Sequence, residues 1–153
     1  MAHQESSIVV GIDFSPGSER AIAEAVSLAK RLQASLHVVH VYEPYAATTL
    51  ESTAMYEDVL AGIARERTAR CRQGVELCDR MVAGKVPYTF HVVDAMPLDG
   101  LLEVISKLKP ELAIVGSHGR GAIKRMLFGS VSSALCHRSP VPVLVVPPAA
   151  QAA

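Results

Sequence analysis

Leu112-Ala113-Ile114-Val115-Gly116-Ser117-His118-Gly119 continues through Arg120-Gly121-Ala122-Ile123-Lys124-Arg125-Met126-Leu127-Phe128 to Gly129-Ser130-Val131. The apolar start reads as a short strand buried on both faces, as strands of a parallel sheet are. Glycines then punctuate a long loop, and Gly129-Ser130 opens a helix that runs to about Arg138. Strand, glycine loop and helix start in this order make one half of a βαβ unit.

The same alternation extends in both directions. Downstream, Val141-Pro142-Val143-Leu144-Val145-Val146 reads as a last strand, closed by Pro147 and Pro148. Upstream, Asp99 leads a helix with Leu101, Leu102, Ile105 and Leu108 inside, stopped by Pro110. Before it, Pro87 opens a strand through Tyr88, Phe90, Val92 and Val93. Charged, helical sequence spans about 57–82, with Leu60, Ile63, Ala64, Cys71, Val75, Cys78 and Val82 near one stripe. Arg65, Arg67, Arg70, Arg72 and Arg80 lie mostly off that stripe and read as a solvated face. The segment from Tyr45 to Tyr56 has no clear period. Leu36-His37-Val38-Val39-His40-Val41 reads as a strand ended by Pro44. A helix opening near Ser18 places Ile22, Ala25, Val26, Ala29 and Leu32 on one face. The first strand, Ile8-Val9-Val10-Gly11-Ile12, runs into the turn formers Asp13-Phe14-Ser15-Pro16-Gly17-Ser18.

Strands alternating with helices predict right-handed crossovers and a parallel sheet with helices on both faces. Ligands of such sheets bind beyond the carboxyl ends of the strands, where the strand order reverses. The loops after Ile12 and Gly116 both leave that end.

Composition narrows the function. The chain has 153 residues, suited to one domain over 1–148 with a disordered tail at 149–153. Lys+Arg and Asp+Glu are 15 each, so a formal net charge of zero argues against a strongly basic nucleic-acid binder. No apolar run approaches the roughly 20 residues of a membrane span. Cys71, Cys78 and Cys136 form no CxxC pair, which fits free thiols in a reducing cytoplasm. Cys71 and Cys78, seven apart on one helical face, suit buried packing better than a redox pair.

The Gly116 loop carries the chemistry. Glycines permit close backbone approach, free N–H groups in a loop and at a helix start form an anion site, and Arg120, Lys124 and Arg125 add positive charge. The combination suits a phosphate chain. Two familiar phosphate motifs fail. A Walker A loop needs a Lys-Ser/Thr pair after its last glycine, and Ala122 follows Gly121 instead. The dinucleotide pattern GxGxxG also fails after Gly119-Arg120-Gly121.

A third pattern fits without a gap. Gly116-x2-Gly119-x9-Gly129-Ser130 resembles the Gx2Gx9G[S/T] nucleotide signature of the universal stress protein family. Ile8 to Ser15 resembles that family's first strand and its acidic end, and Pro140 to Val146 resembles its closing strand. The resemblance covers about residues 7–148. Asp94-Ala95-Met96-Pro97 departs from it, standing where many members have a glycine-rich turn. The resemblance implies an α/β fold with a five-stranded parallel sheet sandwiched by helices, of the adenine-nucleotide α-hydrolase-like kind with Rossmann-type layering. It implies ATP with Mg²⁺, the metal reaching the phosphates near Ser130, and a homodimer through edge strand 141–146. Carried over, Gly116, Gly119, Gly129 and Ser130 hold phosphates, and Ser117, His118, Arg120 and Val131 line the same loop. Asp13 stands at the base or ribose end, Val41 meets the adenine through its backbone, and Gly11 joins the nucleotide-binding set.

Plainer roles compete with these. Asp13 can simply cap the turn before the first helix, and His118 can be an ordinary loop residue. Met126, Leu127 and Phe128 either pack under the loop or cover a nucleotide. His37 and His40 are three apart in a strand and face opposite sides, so they make no metal pair between themselves; His91 and His137 have no ligand-like spacing. The functional reading is a nucleotide-dependent regulatory or stress-response protein with little or no turnover. The alternative is a slow ATP hydrolase. The SGGxDS-type loop of related adenine-binding enzymes is absent at Asp13–Ser18.

Overall fold

A computed structural model describes residues 6–43, 53–119 and 128–149. Five strands form one sheet: β1 (Ser7–Ile12), β2 (Ser35–Tyr42), β3 (Tyr88–Asp94), β4 (Leu112–Gly116) and β5 (Val143–Val146). All neighbours are parallel, in the order β3-β2-β1-β4-β5. Four helices connect them: α1 (Pro16–Leu32), α2 (Thr53–Val82), α3 (Pro97–Leu108) and α4 (Ser130–Arg138). β1 sits at the centre, and all six of its residues are buried.

Alternating side chains divide β1 between two cores. Ile8, Val10 and Ile12 join Leu36, Val38 and Ile114 beneath α1 and α2. Val9 joins Val39, Ala113 and Val115 beneath α3 and α4. Covering both faces with helices is what lets the strands read as unbroken apolar runs.

Several boundaries differ from the sequence reading for local reasons. α1 begins at Pro16, because the Ser15 side chain accepts the Ser18 N–H and caps the helix. Its last residue, Leu32, was expected inside but is exposed, since Gln33 turns left-handed and ends the helix there. α2 starts at Thr53, four residues earlier than the charged pattern suggests. Its buried row runs through Gly74, Leu77, Cys78 and Val82, with Phe90 of β3 against Gly74, and Leu60, Cys71 and Val75 lie off that row and are exposed. Its arginines are partly paired on the surface: Arg67 with Asp94, Arg70 with Glu66 and Arg80 with Glu19. α3 starts at Pro97, with Asp99 in its first turn rather than leading it. β5 begins at Val143 rather than Val141. The Pro142 carbonyl still accepts the Ala113 N–H, but Pro142 has no N–H to return, and the Ser139 hydroxyl ties up Val141. The aperiodic stretch 45–52, Lys124, Arg125, Met126, Leu127 and the tail from 150 lie outside the described residues.

Candidate functional site

β1 leads on to β2 on one side, while its other neighbour is β4. The order reverses between β1 and β4, and a cleft of about 380 Å³ opens above their carboxyl ends. That volume is within the range of small-molecule sites.

The first wall is the turn after β1. The Asp13 N–H donates to the Ser18 hydroxyl (2.8 Å), which donates back to Asp13 Oδ1 (2.6 Å). The Ser15 N–H donates to the same oxygen at 3.0 Å. Asp13 therefore does cap the turn, as the plainer reading held, and it also faces the cleft. Its other oxygen points towards Gly119, where an added Cβ would lie 2.7 Å from Oδ2. The adjoining Phe14 is left-handed (φ 62°), a rare conformation for an aromatic residue. Its ring leans on the buried His40, centroids 4.5 Å apart, and His40 Nδ1 donates to the Ile12 carbonyl at 3.0 Å. Packing beneath the loop thus compensates the backbone strain that aims Asp13.

The second wall is the Gly116 loop. Its ends are tied together: the Gly129 N–H donates to the Ser117 carbonyl at 2.6 Å, and the Ser132 hydroxyl donates to the same carbonyl at 3.1 Å. The Ser117 N–H is fixed by the Val146 carbonyl. Ser117 is only 4% exposed and lies beneath the cleft surface, where its hydroxyl bonds His118 Nδ1 at 2.9 Å. Gly116 meets the backbone of Gly17, and a Cβ there would sit 3.1 Å from Gly17 atoms. The two loops can approach this closely only because both residues are glycines. Gly129 then serves as the N-cap of α4, without a side-chain cap. The N–H groups of Ser130, Val131 and Ser132 have no intrahelical acceptor at this end, and all three residues line the cleft. The helix start therefore offers free donors and the positive end of its dipole.

The remaining surface is apolar. Val39, Val41 and Val115 come from the strand ends, Pro97 and Leu101 from α3, and the half-exposed Phe128 from the mouth. Leu101 reaches over Gly11, where a Cβ would meet its Cδ2 at 2.9 Å. The cleft is thus segregated, with an apolar half beside α3 and a donor-rich half at α4.

Of the residues read from the sequence, Gly11, Asp13, Val41, Gly116, His118, Gly119, Gly129, Ser130 and Val131 all line this cleft. Ser117 lies under it, and Arg120 lies outside the described residues. Sequence reasoning missed Ser18, Ser132, Val39, Pro97 and Leu101. Ser18 and Pro97 each sit in the first turn of a helix that begins at the sheet's carboxyl end, and that position was the available signal. Among the described residues no group of three or more His, Cys, Asp or Glu side chains is placed to hold a metal ion.

Comparison with known proteins gives consistent results. The universal stress protein family matches residues 6–147. A universal stress protein of Mycobacterium tuberculosis is 34% identical over 145 residues, covering 93% of this chain and 45% of the relative. The chain thus spans about half the length of that relative. Universal stress protein YxiE of Bacillus subtilis is 31% identical over 143 residues, covering 91% of this chain and 97% of the relative. Among solved structures, universal stress protein UspA from Lactobacillus plantarum superposes with a TM-score of 0.77 at 20% identity, over 94% of this chain and 99% of that one. A universal stress protein in complex with cAMP superposes with a TM-score of 0.63 at 29% identity, over 92% and 95%.

Proposed function

The chain belongs to the universal stress protein family, and from that premise we propose that it binds an adenine nucleotide, ATP with Mg²⁺, in the cleft between β1 and β4 and acts as a nucleotide-dependent regulatory or stress-response protein. The observation that carries the reading is the segregation of the cleft. An apolar half formed by Val39, Val41, Pro97 and Leu101 suits a base, with the Val41 backbone at its edge. Asp13, held by Ser18 and Ser15 with its Oδ2 facing Gly119, suits hydrogen bonds from ribose hydroxyls. Gly116, His118 and Gly119, with the α4 start at Gly129–Val131, suit phosphates; Arg120 completes this set in the proposal. Mg²⁺, when bound, neutralises phosphate charge, with the Ser130 hydroxyl as the chain's own contact. The related protein solved with cAMP supports an adenine nucleotide without deciding its phosphate number.

Binding with little or no turnover is the preferred reading. Asp13 Oδ1 already accepts two hydrogen bonds, an arrangement that holds and orients a carboxylate rather than leaving it to draw a proton from water. In this reading the protein is cytoplasmic, residues 1–148 act as one unit, and a second copy pairs along the outer edge of β5. Pairing there removes an apolar strand edge.

The test is calorimetric titration of nucleotide-free protein with ATP, ADP and cAMP, with and without Mg²⁺, beside Gly119→Val. A bulky side chain at 119 meets Asp13 Oδ2 and enters the cleft. Stoichiometric binding in the native chain and at least tenfold weaker binding in a folded variant are expected. Equal affinity in both would overturn the site. Multiple-turnover phosphate release lost in Asp13→Ala would instead support the slow hydrolase.

A further inference from the structure

His37 and His91 are 54 positions apart, yet His37 Nδ1 lies 3.0 Å from His91 Nε2. Register explains the meeting. β2 and β3 are parallel, with His37 opposite Thr89 and Val39 opposite His91. The two imidazoles are therefore diagonal neighbours on the α3 face, with ring centroids 5.2 Å apart and planes inclined by 39°. β3 is an edge strand, and both rings are only half-buried, so water and ions reach them.

We propose that this pair is a two-imidazole site for a borderline divalent transition cation of the Zn²⁺ or Cu²⁺ class. Tetrahedral Zn²⁺ with nitrogen ligands near 2.0–2.1 Å needs those nitrogens about 3.3 Å apart. To reach that span the inner nitrogens separate by about 0.3 Å and both rings turn, so that their lone pairs leave the N···N line and converge on the cation. Both rings are carried by strands, so the backbone pre-positions them. Burial lowers the proton affinity of both, and His37 lowers that of His91 further. They are therefore neutral near pH 7, the form in which imidazole ligates. One of the inner nitrogens now carries the shared proton. On metal binding that ring takes the other tautomer, with its single proton on the outer nitrogen, so both lone pairs face the cation and no net proton is released. Since no third His, Cys, Asp or Glu completes a cluster among the described residues, water fills the remaining positions. The cation would thus keep open coordination sites.

A structural role alone, in which one imidazole hydrogen-bonds the other, predicts no metal dependence. Calorimetry with ZnCl₂ and CuCl₂ on the native chain is expected to show one equivalent bound. His37→Gln and His91→Gln, which keep hydrogen-bonding capacity, should each weaken it at least tenfold, whereas His137→Gln should not. In the native chain itself, the electron paramagnetic resonance spectrum of bound Cu²⁺ should show coupling to two imidazole nitrogens. That measurement stands even where a variant folds poorly. Affinity unchanged in both variants, or a Cu²⁺ spectrum without two imidazole nitrogens, would overturn the proposal.

Discussion

Ser18 belongs to the first turn of α1 and to the cleft at once. Its hydroxyl accepts from the Asp13 N–H and donates to the Asp13 carboxylate, while its own N–H helps cap the helix. Ser18→Ala leaves the Ser15 cap in place and removes both ties on Asp13. Nucleotide affinity should fall roughly tenfold, equivalent to about 1.4 kcal/mol, with little change in helicity by circular dichroism. Unchanged affinity would show that the carboxylate stays positioned without the Ser18 hydroxyl. Cys78 poses a different question. Burial, with Asp79 nearby, pushes its thiol up to about 12. At pH 8 only roughly one part in ten thousand is thiolate, the reactive form. Aromatic disulfide reagents should therefore titrate Cys71 and Cys136 quickly and Cys78 only on unfolding. The sign for stability follows from linkage. Between the ordinary thiol value near 9 and 12 the unfolded chain has lost the proton that the folded chain keeps, so this contribution is full below pH 9 and is lost as pH rises towards 12. Cys78→Ser, whose hydroxyl does not titrate in this range, should flatten that alkaline slope in thermal melts.

At the scale of elements, α2 contains two glycines with opposite consequences. A Cβ at Gly62 meets nothing within 4 Å, so Gly62→Ala should stabilise by about 0.5–1 kcal/mol through helix propensity. A Cβ at Gly74 would overlap the Phe90 ring, which packs against the bare helix backbone. Gly74→Ala should therefore destabilise by about 1–3 kcal/mol despite the same propensity gain. Urea unfolding of the two variants side by side checks both directions. Sequence alone ranks the two substitutions equally, because the approach of β3 to α2 is a tertiary fact. The strands were legible for the converse reason. Ile8–Ile12 and Leu112–Val115 are buried on both faces, so their pattern is continuous and needs no partner to be read. The glycine spacing from 116 to 129 was legible because the loop needs close backbone approaches that few other residues permit. What escaped depends on contacts between segments: Gly17 under Gly116, Leu101 over Gly11, and the meeting of His37 with His91. The first turn of α2 escaped because Thr53 to Tyr56 adds no apolar period to the charged pattern, and Met55 and Tyr56 are exposed.

For the whole molecule, the proposed ligand joins pieces that the chain supplies far apart: Asp13 and Ser18 near one end, Pro97 and Leu101 in α3, and Gly116 to Ser132 near the other. A nucleotide bound only by the folded state stabilises all of them together. At a hundredfold excess over Kd the gain is about 2.7 kcal/mol, and a chain of this size should melt roughly 5–10 °C higher. Differential scanning calorimetry with and without ATP checks this, and an unmoved transition would count against nucleotide occupancy of the cleft.

The central place of β1 also has a consequence for biosynthesis. Ile8 pairs with Leu36 on one side, but on the other with Leu112, about a hundred residues later. At a translation rate of about 5–20 residues per second, the future centre of the sheet waits roughly 5–20 s for its second neighbour. During that interval the nascent chain presents an apolar strand with one side unpaired, an invitation to wrong partners. Slowing elongation between codons 43 and 111 should therefore lower the soluble yield, and a chaperone that shields short apolar strands should restore it.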